Sequence, residues 1–374
     1  MKKIIVLLTI CVCFKPLNAK PELVYRTEYE KKGDLIFDIN DLREGDTVYR
    51  IIEGNENGHY TINRKNGEIR IASPIEDAFG VVHTDLLKVK AGVRTYEVKI
   101  VDGFDFVLSL LPDSYSVLSE HNTKYVDKES KWTAYNNLWG RRSAVPNVDF
   151  RIAILHQKKL PSACIFIWDV PSSSKKFGNA SVWCYTNLLW GNRPRVREDL
   201  PGFPFQIKSI KQLTIDFNYR QLFGNDRFKL AMNLFTYDES HLASMRETDG
   251  DFFFILNQVG TYIPPYPYSL PDIKIEGKPF ALRYDDEQNG KFRQRRRVIV
   301  KDGEMLTSGR INLKYLFDIF IKENYINTFQ YIQNIQLGIE VSSGYGAIKF
   351  NQFDINLKTH DSLQENDKNQ DNDR

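Results

Sequence analysis

The stretch Tyr331-Ile-Gln-Asn-Ile-Gln-Leu-Gly-Ile-Glu-Val-Ser-Ser-Gly-Tyr-Gly346 sets an acid inside a strand-like alternation. Ile335, Leu337 and Ile339 fall on one face, and Gln336, Gly338 and Glu340 on the other. The apolar face belongs on a core. The opposite face then carries a carboxylate beside a glycine, where a ligand can approach the backbone closely. A solvated strand glutamate is the plain alternative, because acidic side chains are mostly exposed. A second acid, Asp251, lies in Gly250-Asp-Phe-Phe-Phe-Ile-Leu-Asn257. Alternation puts Asp249, Asp251, Phe253 and Ile255 on a common face.

The elements that must position these acids are strands. The chain has 374 residues, room for about two domains. All five tryptophans (Trp132, Trp139, Trp168, Trp183 and Trp190) fall between 132 and 190, so the two halves differ in character. A net charge of +3 is too small to argue for nucleic acid, and the one dense basic run, Arg293 to Arg297, reads as a solvated strand or loop edge. Met1-Lys-Lys, the apolar run Ile4 to Phe14 and the small Ala19 compose a signal peptide over 1–19. That apolar run is too short to span a bilayer, and no other approaches the needed length, so a secreted, soluble chain without a membrane span is expected. Bulky Ile10 and Val12 argue against a lipoprotein cut before Cys11 or Cys13. Cys164 and Cys184 remain, as one disulfide or as two buried thiols; two cysteines cannot make a zinc site.

Residues 21–113 predict a small β-sandwich. Short runs such as Leu35–Ile39, Thr47–Ile52, Tyr60–Ile62, Glu68–Ile71, Asp85–Lys90 and Thr95–Val101 are separated by turn signals including Asn57-Gly58 and Asn66-Gly67. Tyr49-Arg-Ile-Ile-Glu-Gly-Asn55 and Gly58-His-Tyr-Thr-Ile-Asn-Arg-Lys-Asn-Gly-Glu-Ile69 make this stretch resemble a cadherin-type repeat. Asn63 stands where that family has an acid, and its Asp-x-Asp chelating runs are missing. Calcium needs six or more oxygens, so none is expected at this domain. Residues 114–130 read as a polar linker. From 131 to 358 a larger all-β domain is expected, with clean alternation in Lys211–Tyr219, Phe228–Phe235 and Lys349–Leu357. Leu313, Leu316, Phe317 and Phe320 predict one helix. Strands with a single helix suit a concanavalin-like β-jelly roll with that helix on its convex side. The polar tail, 359–374, should be disordered.

Six segments in order make the second domain resemble glycoside hydrolase family 12, the endo-β-1,4-glucanases and xyloglucanases. They are Tyr135-Asn-Asn-Leu-Trp-Gly140, Tyr185-Thr-Asn-Leu-Leu-Trp-Gly191, Asn233-Leu-Phe-Thr236, Asp251-Phe-Phe-Phe-Ile-Leu256, Ile273–Tyr284 and Ile335-Gln-Leu-Gly-Ile-Glu340. The resemblance implies retaining hydrolysis of a β-glucan in an open cleft, without metal or other cofactor. Glu340 matches the family's acid/base and Asp251 its nucleophile, where the family has Glu. Retaining chemistry needs the two carboxyls roughly 5–5.5 Å apart, and the neighbouring charge would keep Glu340 protonated. Asp is one methylene shorter than Glu, and a misplacement of that size can cost about 10²-fold. Asn233 replaces the Asp that hydrogen-bonds the family's nucleophile, and Phe253 and Ile255 replace its Met and Trp. The resemblance also suggests sugar contacts. Trp139 could stack on pyranose C–H edges, as could Trp132 and Trp190. Asn136 and Asn137 could orient hydroxyls or cap a strand end. These departures leave a second expectation open, a non-catalytic glycan-binding or cell-surface adhesion protein.

Overall fold

The structure is a computed structural model that describes residues 22–26, 32, 35–39, 48–73, 84–92, 94–141, 143–171, 182–192, 202–224, 227–237, 250–259, 268–285, 294–301 and 304–360. The expected signal peptide and all but the first two residues of the expected tail lie outside them. The chain divides into two compact units, with the boundary between Val101 and Asp102.

In the first unit, strands form where the alternation predicts them, at Leu35–Asp38, Tyr49–Glu53, Tyr60–Ile62, Glu68–Ile71, Thr84–Ala91 and Arg94–Asp102. With a further strand, Glu22–Arg26, they make a four-stranded and a three-stranded sheet. The core holds one residue in two from each strand, among them Tyr49, Ile69, Ile71, Leu87, Val89, Val98 and Ile100.

The second unit is built on two larger sheets. One runs Tyr268–Ile275, Lys278–Asp285, Gln294–Val300, Gly250–Val259, Phe228–Tyr237, Asn334–Val341, Thr186–Gly191, Trp132–Asn136 and Thr123–Asp127. The other runs Ser308–Asn312, Ile210–Gly224, Gly344–Thr359, Ile165–Val170, Arg151–His156 and Ser116–Leu118. Each sheet turns one face inward. Leu213, Ile215 and Phe217 are buried while Asp216 and Asn218 between them are less so. Trp132 meets Phe353 of the opposite sheet edge-on at 5.3 Å, and Trp168 meets Phe228 at 5.0 Å. The helix, Leu313–Lys322, starts at Asn312, whose side chain accepts from the Tyr315 amide at 3.0 Å. Its buried stripe is Leu313, Leu316, Phe317 and Phe320. Phe317 and Phe320 pack edge-on against Phe252, which faces away from its neighbour Asp251. The β-jelly roll with a helix on the side opposite Asp251 is therefore as expected.

Residues 114–130 are not a linker. Ser116–Leu118 pairs with Arg151–His156, and Thr123–Asp127 with Trp132–Asn136, so the segment supplies an edge strand to each sheet. Its polar composition is what an exposed sheet edge carries to discourage pairing with other chains. Residues 103–109, expected as part of the all-β first domain, instead form a second helix, Gly103–Ser109, that belongs to the second unit. A buried charge cluster explains this. The Arg151 guanidinium donates to Asp105 at 2.9 Å and to Asp169 at 3.1 Å, and all three side chains are almost fully buried. Phe104 stacks on the same guanidinium at 4.4 Å. Cys164 and Cys184 are separate buried thiols, and burial pushes Cys184 up to about 11 and Cys164 higher still.

Removing the one cation from this cluster strands two buried carboxylates. Arg151→Met is expected to cost roughly 3–5 kcal/mol, read as a lowered urea midpoint with an unchanged slope. A cost under about 1 kcal/mol would mean the aspartates are solvated in the folded protein.

Candidate functional site

Three neighbouring strands carry the acids. In the middle one, Leu230, Met232 and Leu234 enter the core. Lys229, Ala231, Asn233 and Phe235 therefore share the opposite face. On one side Lys229 stands opposite Glu340, Ala231 opposite Gly338, and Asn233 opposite Gln336. On the other side Lys229 stands opposite Gln258, Asn233 opposite Phe253, and Phe235 opposite Asp251. Both acids do face away from the core, as alternation predicts.

They are not brought together. Glu340 lies at the level of Lys229 and Asp251 at the level of Phe235, six residues along the same strand. At ~3.3 Å per residue the offset is about 20 Å, on top of the two-strand spacing across the sheet. On an ideal strand that sets the two backbone positions farther apart than the roughly 5–5.5 Å of a retaining pair or the ~6.5–9.5 Å of an inverting pair, while the charges of both carboxylates still reach the one Tyr185 phenol between them. The residue directly opposite Asn233 is Phe253, and Asp251 lies two residues farther along, opposite Phe235.

Each acid has a cation instead of a second acid. Arg297, on the parallel neighbouring strand opposite Phe253, donates to Asp251 Oδ2 at 2.6 Å and to the Asp251 carbonyl at 2.9 Å. Its guanidinium lies 5.2 Å from the Phe253 ring centre. Asp251 Oδ1 and Asn233 Oδ1 are buried without a hydrogen-bond partner. Lys229 donates to Glu340 Oε2 at 3.1 Å.

Tyr185 fills the space between. Its ring lies over Gly338, where a Cβ would stand 2.8 Å from Tyr185 Cε2 and 2.7 Å from the Thr186 carbonyl. Its hydroxyl crosses to donate to the Ala231 carbonyl at 3.3 Å, and its ring centre is 6.1 Å from that of Phe253. Burial, with the charges of Glu340 and Asp251 adding to it, holds the phenol well above its usual range, so it stays a protonated donor. The glycine that suggested close approach of a ligand is thus covered by the protein's own aromatic ring.

The other predicted contacts divide. Trp132 and Trp190 stand opposite each other on neighbouring strands, on the face that packs inward. Trp132 is in the core, and Trp190 packs on Phe203 at 4.7 Å. Asn136 is also interior. Its amide donates to the Leu118 and Ile152 carbonyls at 3.1 Å, and its oxygen accepts from Thr186 at 2.7 Å. These three are corrected from sugar contacts to packing and internal hydrogen bonding. Asn137 and Trp139 lie near the Glu340 end of the sheet. The Asn137 carbonyl accepts from Tyr185 N, Gly140 N donates to the Trp183 carbonyl, and Trp183 N donates to the Val341 carbonyl. Trp139 is 48% exposed. Sequence reasoning passed over Lys229, the one charge in an otherwise uncharged strand, Phe228–Tyr237. The basic run expected as a solvated edge is corrected at Arg296 and Arg297, which sit in the sheet with side chains largely buried, Arg297 because it pairs with Asp251.

No protein-family model and no curated protein matches the chain. Solved structures do. The family 12 xyloglucanase from Bacillus licheniformis is 18% identical, with 65% of this chain and 100% of that one covered, at a TM-score of 0.53. Endoglucanase 3 of family GH12 from Trichoderma harzianum is 18% identical, covering 66% and 100%, at 0.50. Endoglucanase cel12A from Rhodothermus marinus is 14% identical, covering 65% and 99%, at 0.51. At such identities the likeness is one of fold: about two thirds of this chain adopts the jelly roll of family 12 cellulases and xyloglucanases.

Gly338→Ala tests the ring over the glycine. The added methyl must displace Tyr185 or the Thr186 backbone, so a loss of about 1–3 kcal/mol is expected by urea denaturation. Gly338→Ala combined with Tyr185→Ala should recover part of it; no recovery would show that the backbone, not the ring, sets the constraint.

Proposed function

We propose that this protein is directed at β-1,4-glucan, which it binds through the Glu340 face of a family 12-type jelly roll, and that it does not cleave the glucan with an Asp251–Glu340 pair. The observation that carries this reading is the six-residue offset between the two acids on the shared strand. Two-carboxylate hydrolysis depends on both groups flanking one glycosidic bond. Here one carboxylate is buried against Arg297 and the other is paired with Lys229. Such groups suit the hydrogen-bonding work of a binding protein: an ammonium donates and a carboxylate accepts. The first unit would act as a cadherin-like spacer or attachment module without calcium, and the leader at 1–19 would export the whole.

Retaining hydrolysis is the second reading. Its support is that Glu340, the acid/base of the resemblance, keeps a partly exposed side chain (21%) at the end of the sheet that holds Trp139.

The two readings separate in one experiment. The full-length protein is passed over affinity gels of barley β-glucan, xyloglucan and carboxymethylcellulose, and reducing-sugar release is measured in parallel. Retention without release is expected, and Asp251→Asn, if folded, should bind like the parent. Release that vanishes in Glu340→Gln would replace the binding reading with the hydrolytic one.

A further inference from the structure

The outer face of the first unit's four-stranded sheet carries charges that the protein's own residues leave unbalanced. Tyr49, Val89 and Ala91 are buried, so the alternate residues Arg50 and Lys90 point outward. The register of Tyr49–Glu53 against Thr84–Ala91 sets these two cations directly opposite each other. The next residue across, on Arg94–Asp102, is the neutral Thr95. Like charges so placed repel. Among the described residues, neither cation makes an ion pair or a side-chain hydrogen bond. One row along the charges do balance: Lys88 pairs with Glu53 and stands opposite Glu97. Arg50 and Lys90 line a shallow groove of about 250 Å³ with Val48 and Gly92. Val48 is 68% exposed, and Gly92, in the hairpin turn at φ +61°, has no side chain to close the groove.

We propose that this groove is an oxyanion site by which the first unit attaches to a carboxylate-bearing polysaccharide, with one uronate group lying between Arg50 and Lys90. The choice of a glycan rests on the glucan-directed reading of the second unit; the cation pair does not. A guanidinium donates two parallel hydrogen bonds to a carboxylate, and the ammonium supplies a third. One repulsion is thereby replaced by two attractions. Val48 offers aliphatic contact to the C–H edge of the sugar ring that carries the acid. Only one row of the face is unbalanced, so the site takes an isolated acid group. A bilayer of anionic head groups would press a plane of charge on Glu53 and Glu97 as well, whereas a sugar chain can present a single carboxylate.

The experiment passes the full-length protein, in low salt, over gels of polygalacturonate, poly-glutamate and barley β-glucan. Retention on polygalacturonate, lost as salt is raised, is expected. In titration calorimetry with trigalacturonate, Arg50→Gln should weaken binding about tenfold, the loss of a bidentate charge-assisted contact. Arg50→Gln combined with Lys90→Gln should abolish retention on polygalacturonate and leave retention on β-glucan at the parent's level. Because the double variant removes a repulsion, its urea midpoint in low salt should equal or exceed the parent's. A midpoint well below the parent's would show that the two cations are satisfied within the protein, and would overturn the inference. So would passage of the parent through the polygalacturonate gel, or retention there that survives both substitutions. Tighter retention on poly-glutamate than on polygalacturonate would overturn the glycan assignment in favour of an acidic peptide. If the parent is held by polygalacturonate but not by barley β-glucan, the glucan-directed reading falls and the groove stands.

Discussion

The strand Phe228–Tyr237 is hydrogen-bonded along both edges, and its register decides what the face can do. Leu230, Met232 and Leu234 are pinned in the core beside Phe252, Phe254 and Leu256. A slip of one residue would turn those apolar groups outward and bring Lys229 and Asn233 into the core, so the register cannot drift by one. A slip by two would keep the faces but break the match of side chains between the sheets. With Lys229 fixed opposite Glu340 and Phe235 fixed opposite Asp251, the distance between the acids follows from strand geometry alone.

Given that distance, the cations near the acids have a physical reason. An isolated carboxylate buried as deeply as Asp251 would be expensive, and another carboxylate beside it would add repulsion. Arg297 resolves this with a side-chain and a backbone contact from the parallel neighbour, and leaves one Asp251 oxygen unpartnered. Glu340, half-buried at the rim, needs less, and one ammonium suffices. A retaining glycosidase solves the same electrostatic problem by sharing a proton between two carboxyls near one bond.

Much of the fold was legible because periodicity is written into residue type. Lys211–Tyr219 shows its inward face as Leu213, Ile215 and Phe217, and the helix shows its stripe as Leu313, Leu316, Phe317 and Phe320. The edge strands at 116–118 and 123–127 were illegible because polar edge composition looks like linker composition. The faces of Trp132, Asn136 and Trp190 were illegible for a different reason. Their strands, Trp132–Asn136 and Thr186–Gly191, are buried on both sides, so alternation of polarity does not tell inward from outward. The candidate acids were found on the correct face, but their six-residue offset along the strand between them was not anticipated. Face follows from parity within one strand, whereas distance follows from register between strands, which no local pattern records.

Asn233 shows how alignment along the chain and pairing across the sheet differ. Aligned along the chain, it stands where the resembled family keeps an Asp beside its nucleophile, and Asp251 aligns with the nucleophile itself. Aligned across the sheet, Asn233 meets Phe253, and Phe253 packs with Tyr185 over Gly338. Two aromatic rings and a covered glycine fill the centre of the face with apolar contact, which stabilises the sheet there without any substrate. Partly exposed groups remain at the rim row of Lys229 and Glu340 and at Arg297 and Arg283 on the outer strands. A carboxylate so placed accepts hydrogen bonds whatever the position of a second acid. Recognition asks for one well-placed donor–acceptor pair, whereas hydrolysis asks for two acids held to within an ångström, so register weighs far more heavily on the second demand than on the first.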